Sequence, residues 1–405
     1  MLIRAILLLC GLGLACCAPA LSAQETKPAS AAPVREAPVP DAKREADSAK
    51  PPGSQASKEP AAEPAKSNTK EGGKEPQKPG PHIALILPTG SKSFGKVSEA
   101  VKSGFLAAAQ AEGKDGPPFR VYPADDDTVA LAKEIRRAAS DGAVMVVGGL
   151  TRDGANVLAR ESGFLPALAL NTPSTPDTQF SDGYFHVSLS LDDEARLLAR
   201  KISEEGLKRI VVAGSASPLA KRVQESFERE WNRRGGEIAI RLTVNGDLEE
   251  GPKLVSAFEK ANADSAILFA DRRIARGTRP FFPQGLPVFT TTYTIDPRAD
   301  AVENLDLDGV RFLEMPWFVE ADHPAVMAYQ KPNEPMAIDL ERLYALGIDA
   351  WRLANAMSRA EKSARFAPLD GVTGKITLEG RQFVRTLISA ELRDGRVVAR
   401  AGHPE

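Results

Sequence analysis

Gly90-Ser91-Lys92-Ser93-Phe94-Gly95-Lys96 follows an apolar run and opens a helical pattern. In that setting backbone N–H groups can cradle phosphate and a lysine can reach it. Val97 stands where a Ser or Thr would hold Mg²⁺, so most but not all of a nucleotide loop is present. Asp271 follows a second apolar run, as a partner motif would. Asn304-Leu305-Asp306-Leu307-Asp308-Gly309 starts like a calcium loop. The bidentate Glu such a loop needs at its twelfth position is replaced by Met315, with Glu314 one residue early. The four histidines, His82, His186, His323 and His403, share no metal-ligand spacing, and no Gly-x-Ser-x-Gly elbow occurs. Gly214-Ser215-Ala216-Ser217 suits the start of a helix and hydrogen bonding to an anion better than attack on a carbonyl. We expect no catalytic residue, no cofactor and no metal.

The N-terminus sets the compartment. Met1 to Arg4 is a short basic start, Ala5 to Ala20 an uncharged apolar run, and Ala18, Ala20, Ser22 and Ala23 crowd its end with small residues. This is the pattern of a secretory signal peptide over residues 1–23. The run is shorter than the ~20 apolar residues a spanning helix requires. An exported chain meets essentially no ATP, so Gly90 and Gly95 read as turn and helix-start residues. The three cysteines, Cys10, Cys16 and Cys17, all lie in this segment. Cleavage after Ala23 leaves a chain without thiols. Alternatively Cys16 or Cys17, behind Leu14-Ala15, is acylated and becomes the new terminus. The expected location is the periplasm, with an outer-membrane tether if that lipid is attached. Lys plus Arg number 52 against 54 for Asp plus Glu, giving a net charge of −2. That balance gives no reason to expect nucleic acid as a partner.

Residues 24–81 are built from Pro, Ala, Lys, Glu, Ser and Gly, with Val34 and Val39 as the larger apolar side chains. Such a stretch cannot bury enough surface to offset the entropy of ordering, which predicts a disordered linker spanning on the order of 45 Å. From His82 onward, strand and helix patterns alternate. Ile83–Leu87, Phe119–Tyr122, Val144–Val147 and Pro166–Leu170 read as strands. Helical spacing runs through Val97, Val101, Phe105 and Ala108, then Val129–Ala139 and Arg152–Glu161. Asp125-Asp126-Asp127 fits a strand-end loop and helix cap. The pattern restarts with a helix at Ala195–Glu205. Strands follow at Arg209–Ala213, Glu237–Thr243 and Ser265–Phe269, with helices at Leu219–Arg234, Lys253–Ala261 and Leu340–Arg359. Gly374–Leu387 and Ala390–Val398 alternate as strands, the latter turning at Arg393-Asp394-Gly395. The fold class is therefore α/β, with two lobes, each a mostly parallel sheet flanked by helices.

This order of elements resembles the type I periplasmic binding proteins of the branched-chain amino-acid receptor class. The resemblance places residues 82–189 plus 317–369 in lobe 1 and 190–316 plus 370–405 in lobe 2. More specific matches are Leu307-Asp308-Gly309-Val310-Arg311-Phe312, Met315-Pro316-Trp317, Arg342 through Ala354, and Gly371-Val372-Thr373-Gly374. Together they resemble the penicillin-binding protein activator family, the LppC-type lipoproteins. The family's best-known members carry a helical repeat domain ahead of this body, where this sequence has the linker. The resemblance implies a non-catalytic regulator that docks on a class A penicillin-binding protein and stimulates peptidoglycan cross-linking. The alternative is a receptor that closes on an amino acid or similar metabolite for an ABC transporter.

A small polar ligand in an inter-lobe cleft would meet the loops after the strands. These supply Ser91, Phe94, Thr151, Asn171 and Thr172 from lobe 1, and Ser215, Asp271 and Tyr293 from lobe 2. Family receptors hold an α-carboxylate with small hydroxyl residues after the third and fourth strands. Thr151 falls at the third-strand position, whereas Asn171-Thr172-Pro173 departs from the usual loop. For each of these residues ordinary loop capping is the plainer reading. Trp317 is either a packed hinge residue or a ring at the cleft mouth.

Overall fold

The computed structural model describes residues 80–125, 127–163, 165–174, 180–359 and 366–400. The expected signal peptide, almost all of the linker, and Cys16 and Cys17 lie outside the described residues.

The first round runs β1 (His82–Leu87), α1 (Gly95–Glu112), β2 (Phe119–Pro123), α2 (Thr128–Ser140), β3 (Ala143–Gly148), α3 (Arg152–Glu161), β4 (Ala167–Ala169) and β5 (Tyr184–Val187). The second runs α4 (Leu191–Glu204), β6 (Arg209–Gly214), α5 (Pro218–Arg233), β7 (Glu237–Thr243), α6 (Gly251–Ala261), β8 (Ser265–Phe269), α7 (Arg272–Thr278), β9 (Val288–Thr290), α8 (Ala301–Asn304) and β10 (Val310–Glu314). Two single turns, α9 (Pro316–Val319) and α10 (Pro324–Met327), lead into α11 (Ile338–Arg359). Five strands follow among the described residues: β11 (Leu369–Gly371), β12 (Gly374–Glu379), β13 (Gln382–Thr386), β14 (Ile388–Arg393) and β15 (Arg396–Ala399).

The strands form two sheets, ordered β11-β12-β13-β5-β4-β3-β1-β2 and β15-β14-β10-β9-β8-β6-β7. Each core is parallel, because most of its strands are followed by a helix that carries the chain back. β1 shows why its sequence is apolar throughout. Ile83, Leu85 and Leu87 pack with α1 and α11 on one face, while Ala84 and Ile86 pack with α2 and α3 on the other. One hydrophobic cluster runs through both sheets, from Phe105 and Trp351 in the first to Phe227 and Trp231 in the second. Leu313, Met315, Trp317, Val372 and Leu387 lie in the same cluster, at the chain passages between the sheets.

Helix starts follow local chemistry. Asp127 caps α2 by accepting from the Val129 and Ala130 amides at 2.9 and 2.7 Å, as the acidic run predicts. The β14–β15 turn holds both Asp394 and Gly395 at positive φ, the geometry an Asp-Gly pair tolerates.

Among the described residues the chain passes between the sheets three times: at residues 188–190, at Met315 and at Leu387. The third passage corrects the expected assignment of everything beyond residue 369 to the second lobe. β11, β12 and β13 belong to the first sheet, β13 pairing in parallel with β5 (Gln382↔His186, Phe383↔Val187). Asp349 of α11 supplies a physical reason. Its buried carboxylate accepts from Val372 N (3.1 Å), Thr373 N (2.8 Å) and Thr373 Oγ1 (2.7 Å), docking this segment beneath the helix. Gly371 must be glycine here, since a Cβ would lie 2.6 Å from Asp349 Oδ2.

Candidate functional site at the seam between the sheets

Residues from both rounds meet where the chain passes between the sheets, and most of them are charged. α11 packs on the first sheet with α1, yet its N-terminal half reaches the second. Arg342 donates to Glu314 Oε2 at the end of β10 (2.7 Å) and to the Ile295 carbonyl (3.2 Å). Its neighbour Glu341 receives Arg298, from the loop after β9, at 2.5 Å, and the Trp317 indole N–H at 2.9 Å. Near the first passage, Arg152 at the start of α3 pairs with Asp192 of α4 at 2.7 Å. Arg222 of α5 reaches the other oxygen of Asp192 at 3.1 Å. Since α4 packs beside α5 on the second sheet, this triad also bridges the two. Glu194 accepts from Thr292 N (2.7 Å) and Thr292 Oγ1 (2.6 Å). Buried charge is tolerated only when paired or hydrogen-bonded, and these groups supply each other's partners.

Most of the nine expected ligand-contact residues are engaged within the chain. Ser91 Oγ accepts from Ser93 N (3.1 Å) and Phe94 N (3.0 Å), and Phe94 occupies the N-cap position of α1. Thr151 caps α3 through Gly154 N (2.9 Å), and Asp271 caps α7 through Ile274 N (3.0 Å). Ser215 is buried and donates to Ser217 Oγ at 3.3 Å. Tyr293 is half-buried beside Thr292. Asn171 bonds the Leu150 carbonyl (2.8 Å) and Thr172 N (2.8 Å). Thr172 meets Ser188 Oγ at 3.0 Å and thereby joins the seam. Trp317 is 1% exposed, with the Lys331 ammonium 3.6 Å from its ring centroid, so it is a packed residue and not a ring at an open mouth. Thr151 lines a cavity of about 20 Å³ at the ends of β1 and β3, room for about one water and too little for an amino acid. Asp306 pairs with Arg276 at 2.8 Å, and Asn304 receives Arg272 at 3.0 Å, so two oxygens of the calcium-like run already serve arginines.

Glu194, Glu314, Arg342 and Arg385 were not among the expected site residues. The available signal was Glu314 ending an apolar strand, and Arg342 and Asp349 seven residues apart on a helix patterned for burial.

Burial pushes the Glu194 carboxyl up to about 7; the nearby Glu314 carboxylate adds to this, and the two Thr292 bonds oppose it. A folded-state value above the ordinary 4.5 means that the fold binds the proton more tightly than the unfolded chain. The resulting stability is full below pH ~4.5 and is lost as pH rises through ~7, a change of up to ~3 kcal/mol. Glu194→Gln mimics the protonated acid. We expect it to flatten the stability profile between pH 5 and 8 and to exceed the parent at pH 8. Urea midpoints at the two pH values test this, and identical slopes for both proteins would count against it.

Two doubly wound sheets joined by three chain passages define the type I periplasmic-binding-protein class. The family described as "LppC putative lipoprotein" matches residues 73–249 and 269–395, and the chain belongs to that family. The penicillin-binding protein activator LpoA of Enterobacter sp. strain 638 is 27% identical over 316 residues, which is 67% of this chain and 43% of that protein. The chain thus spans less than half the length of the curated relatives it matches. Among solved structures, a "putative branched-chain amino acid ABC transporter" from Chromobacterium violaceum shares 32% identity, with a TM-score of 0.66 over 76% of this chain and 99% of the other. The LpoA C-domain from Haemophilus influenzae, a regulator of PBP1A, aligns with a TM-score of 0.62 and 21% identity over 79% of this chain and 100% of the domain. At that identity the likeness to the C-domain is one of fold.

Proposed function

We propose that the two-sheet body is a non-catalytic regulator that binds a class A penicillin-binding protein and stimulates peptidoglycan cross-linking. The observation that carries this reading is the pinned seam. Arg342–Glu314, Arg298–Glu341 and Arg152–Asp192 each join an element on the first sheet to one on the second. A solute receptor works by opening and closing such a seam, whereas a docking body gains from a fixed surface that loses little entropy on binding. The activator relatives support the same partner class. In this reading the body is periplasmic, and an acylated Cys16 or Cys17 with the residue 24–81 linker lets it reach the synthase from the outer membrane.

The receptor reading is favoured by the 32% identity to the Chromobacterium violaceum protein. The two readings separate in one pair of measurements. The full chain, titrated into a cross-linking assay with a class A synthase from the same cell, is expected to raise cross-linked product several-fold and to co-sediment with the enzyme. No binding at micromolar concentration, together with a melting-point rise on adding branched-chain amino acids, would establish a receptor instead.

A further inference from the structure

A cavity of about 130 Å³ lies at the seam between α4 and β13, separate from the nine positions expected to meet a ligand. Its charged lining divides into groups already satisfied and groups short of a partner. Asp193 is held by Arg196, by Ser188 Oγ at 3.3 Å and by Gln382 at 3.2 Å. Glu194 is held by Thr292 through both oxygens. The third carboxylate, Glu379, is exposed at the rim.

The arginines differ. Arg385 donates Nε to the Ser188 carbonyl (2.9 Å) and Nη1 to the Thr373 carbonyl (3.0 Å). Neither acceptor carries a charge, and among the described residues no carboxylate lies within 4 Å of this guanidinium while its Nη2 has no protein partner. Arg200 Nε is buried without a hydrogen bond. Its nearest carboxylate, Glu230, is 3.8 Å away and already taken by Arg233 and Arg234 at 2.7 and 2.8 Å. Asp193 and Glu194 act on Arg385 through space, but neither the Arg385 nor the Arg200 guanidinium is hydrogen-bonded to a carboxylate, and planar guanidinium donors suit one.

We propose that this seam cavity binds a compact carboxylate, held by Arg385 and Arg200. The volume holds several waters, enough for a compact carboxylate. An occupant would tie α4, which packs on the second sheet, to β13 of the first, adding a ligand-dependent link to the seam.

The test is a titration of the full chain with acetate, lactate and inorganic phosphate at constant ionic strength, with chloride as the control. Acetate or lactate is expected to raise the melting temperature saturably in the millimolar range, by about 2 °C at ten times Kd. Arg385→Gln should abolish the rise but also loses two backbone bonds, so Arg200→Gln is the cleaner variant. It should keep the ligand-free melting temperature and weaken the response at least tenfold. An equal response in Arg200→Gln, an equal response to chloride, or a response to phosphate alone would each overturn the assignment. No synthase enters either arm, so the outcome is read separately from the docking function.

Discussion

Arg342→Leu is expected to destabilise the protein by about 3–5 kcal/mol, among the largest effects of any single side chain at the seam. The size comes less from the lost bond than from what it leaves behind. Glu314 is 0% exposed, and its Oε2 has Arg342 as its charged partner at 2.7 Å. Burial opposes the Arg342 charge, but Glu314, with help from Glu194 and Asp339, outweighs that effect and holds the guanidinium above its ordinary value. With Arg342 gone, Glu314 must either hold an uncompensated charge in the core or take up a proton. The variant should therefore lose further stability as pH rises, because protonation is the cheaper route for a buried acid. Arg342→Leu combined with Glu314→Leu removes both charges and should recover most of the loss. Urea unfolding of both variants at pH 5 and pH 8 measures this. A double variant no more stable than the single one would show that the cost is packing and not charge.

Gly347→Ala should cost ~3 kcal/mol or more, and Gly347→Val should prevent folding. α1 and α11 cross with their backbones in contact, each offering a glycine. A Cβ on Gly347 would stand 2.1 Å from the Val101 carbonyl oxygen and 2.9 Å from Phe105 N, and one on Gly104 would stand 1.8 Å from the Tyr344 carbonyl oxygen. These obstacles are backbone atoms and cannot swing aside. Alanine inside a helix gains only about 1 kcal/mol over glycine in propensity, so the clash decides the sign. The consequence extends beyond stability, because α11 also carries Glu341, Arg342 and Asp349. Displacing the helix moves Arg342 and Glu341 off their second-sheet partners and frees the 371–374 segment. Denaturant midpoints together with near-ultraviolet circular dichroism of the packed tryptophans report both effects. A Gly347→Ala midpoint within experimental error of the parent would refute the close crossing.

How much of this was legible in the residues follows from the range of each interaction. The strands β1, β3, β6 and β8 stood out because burial on both faces demands an unbroken apolar run. The α3 bounds, the Asp127 cap and the Asp394-Gly395 turn were legible because each is settled within about four residues. β5 and β9 were missed. Tyr184–Val187 is only four residues long and contains His186, and Val288–Thr290 is only three, so neither carries a periodic signal.

The sequence alone determined the alternation of strand and helix, its restart after residue 189 and the two-sheet architecture, all through local burial patterns. The tertiary structure alone decided which sheet receives β11–β13, since Asp349 must reach 24 residues along the chain to Thr373. It alone decided, too, that Glu194 meets Thr292 across 98 residues and that Arg342 meets Glu314. A buried charge is acceptable only beside its partner, and spacing along a chain carries no record of which partner the fold will bring.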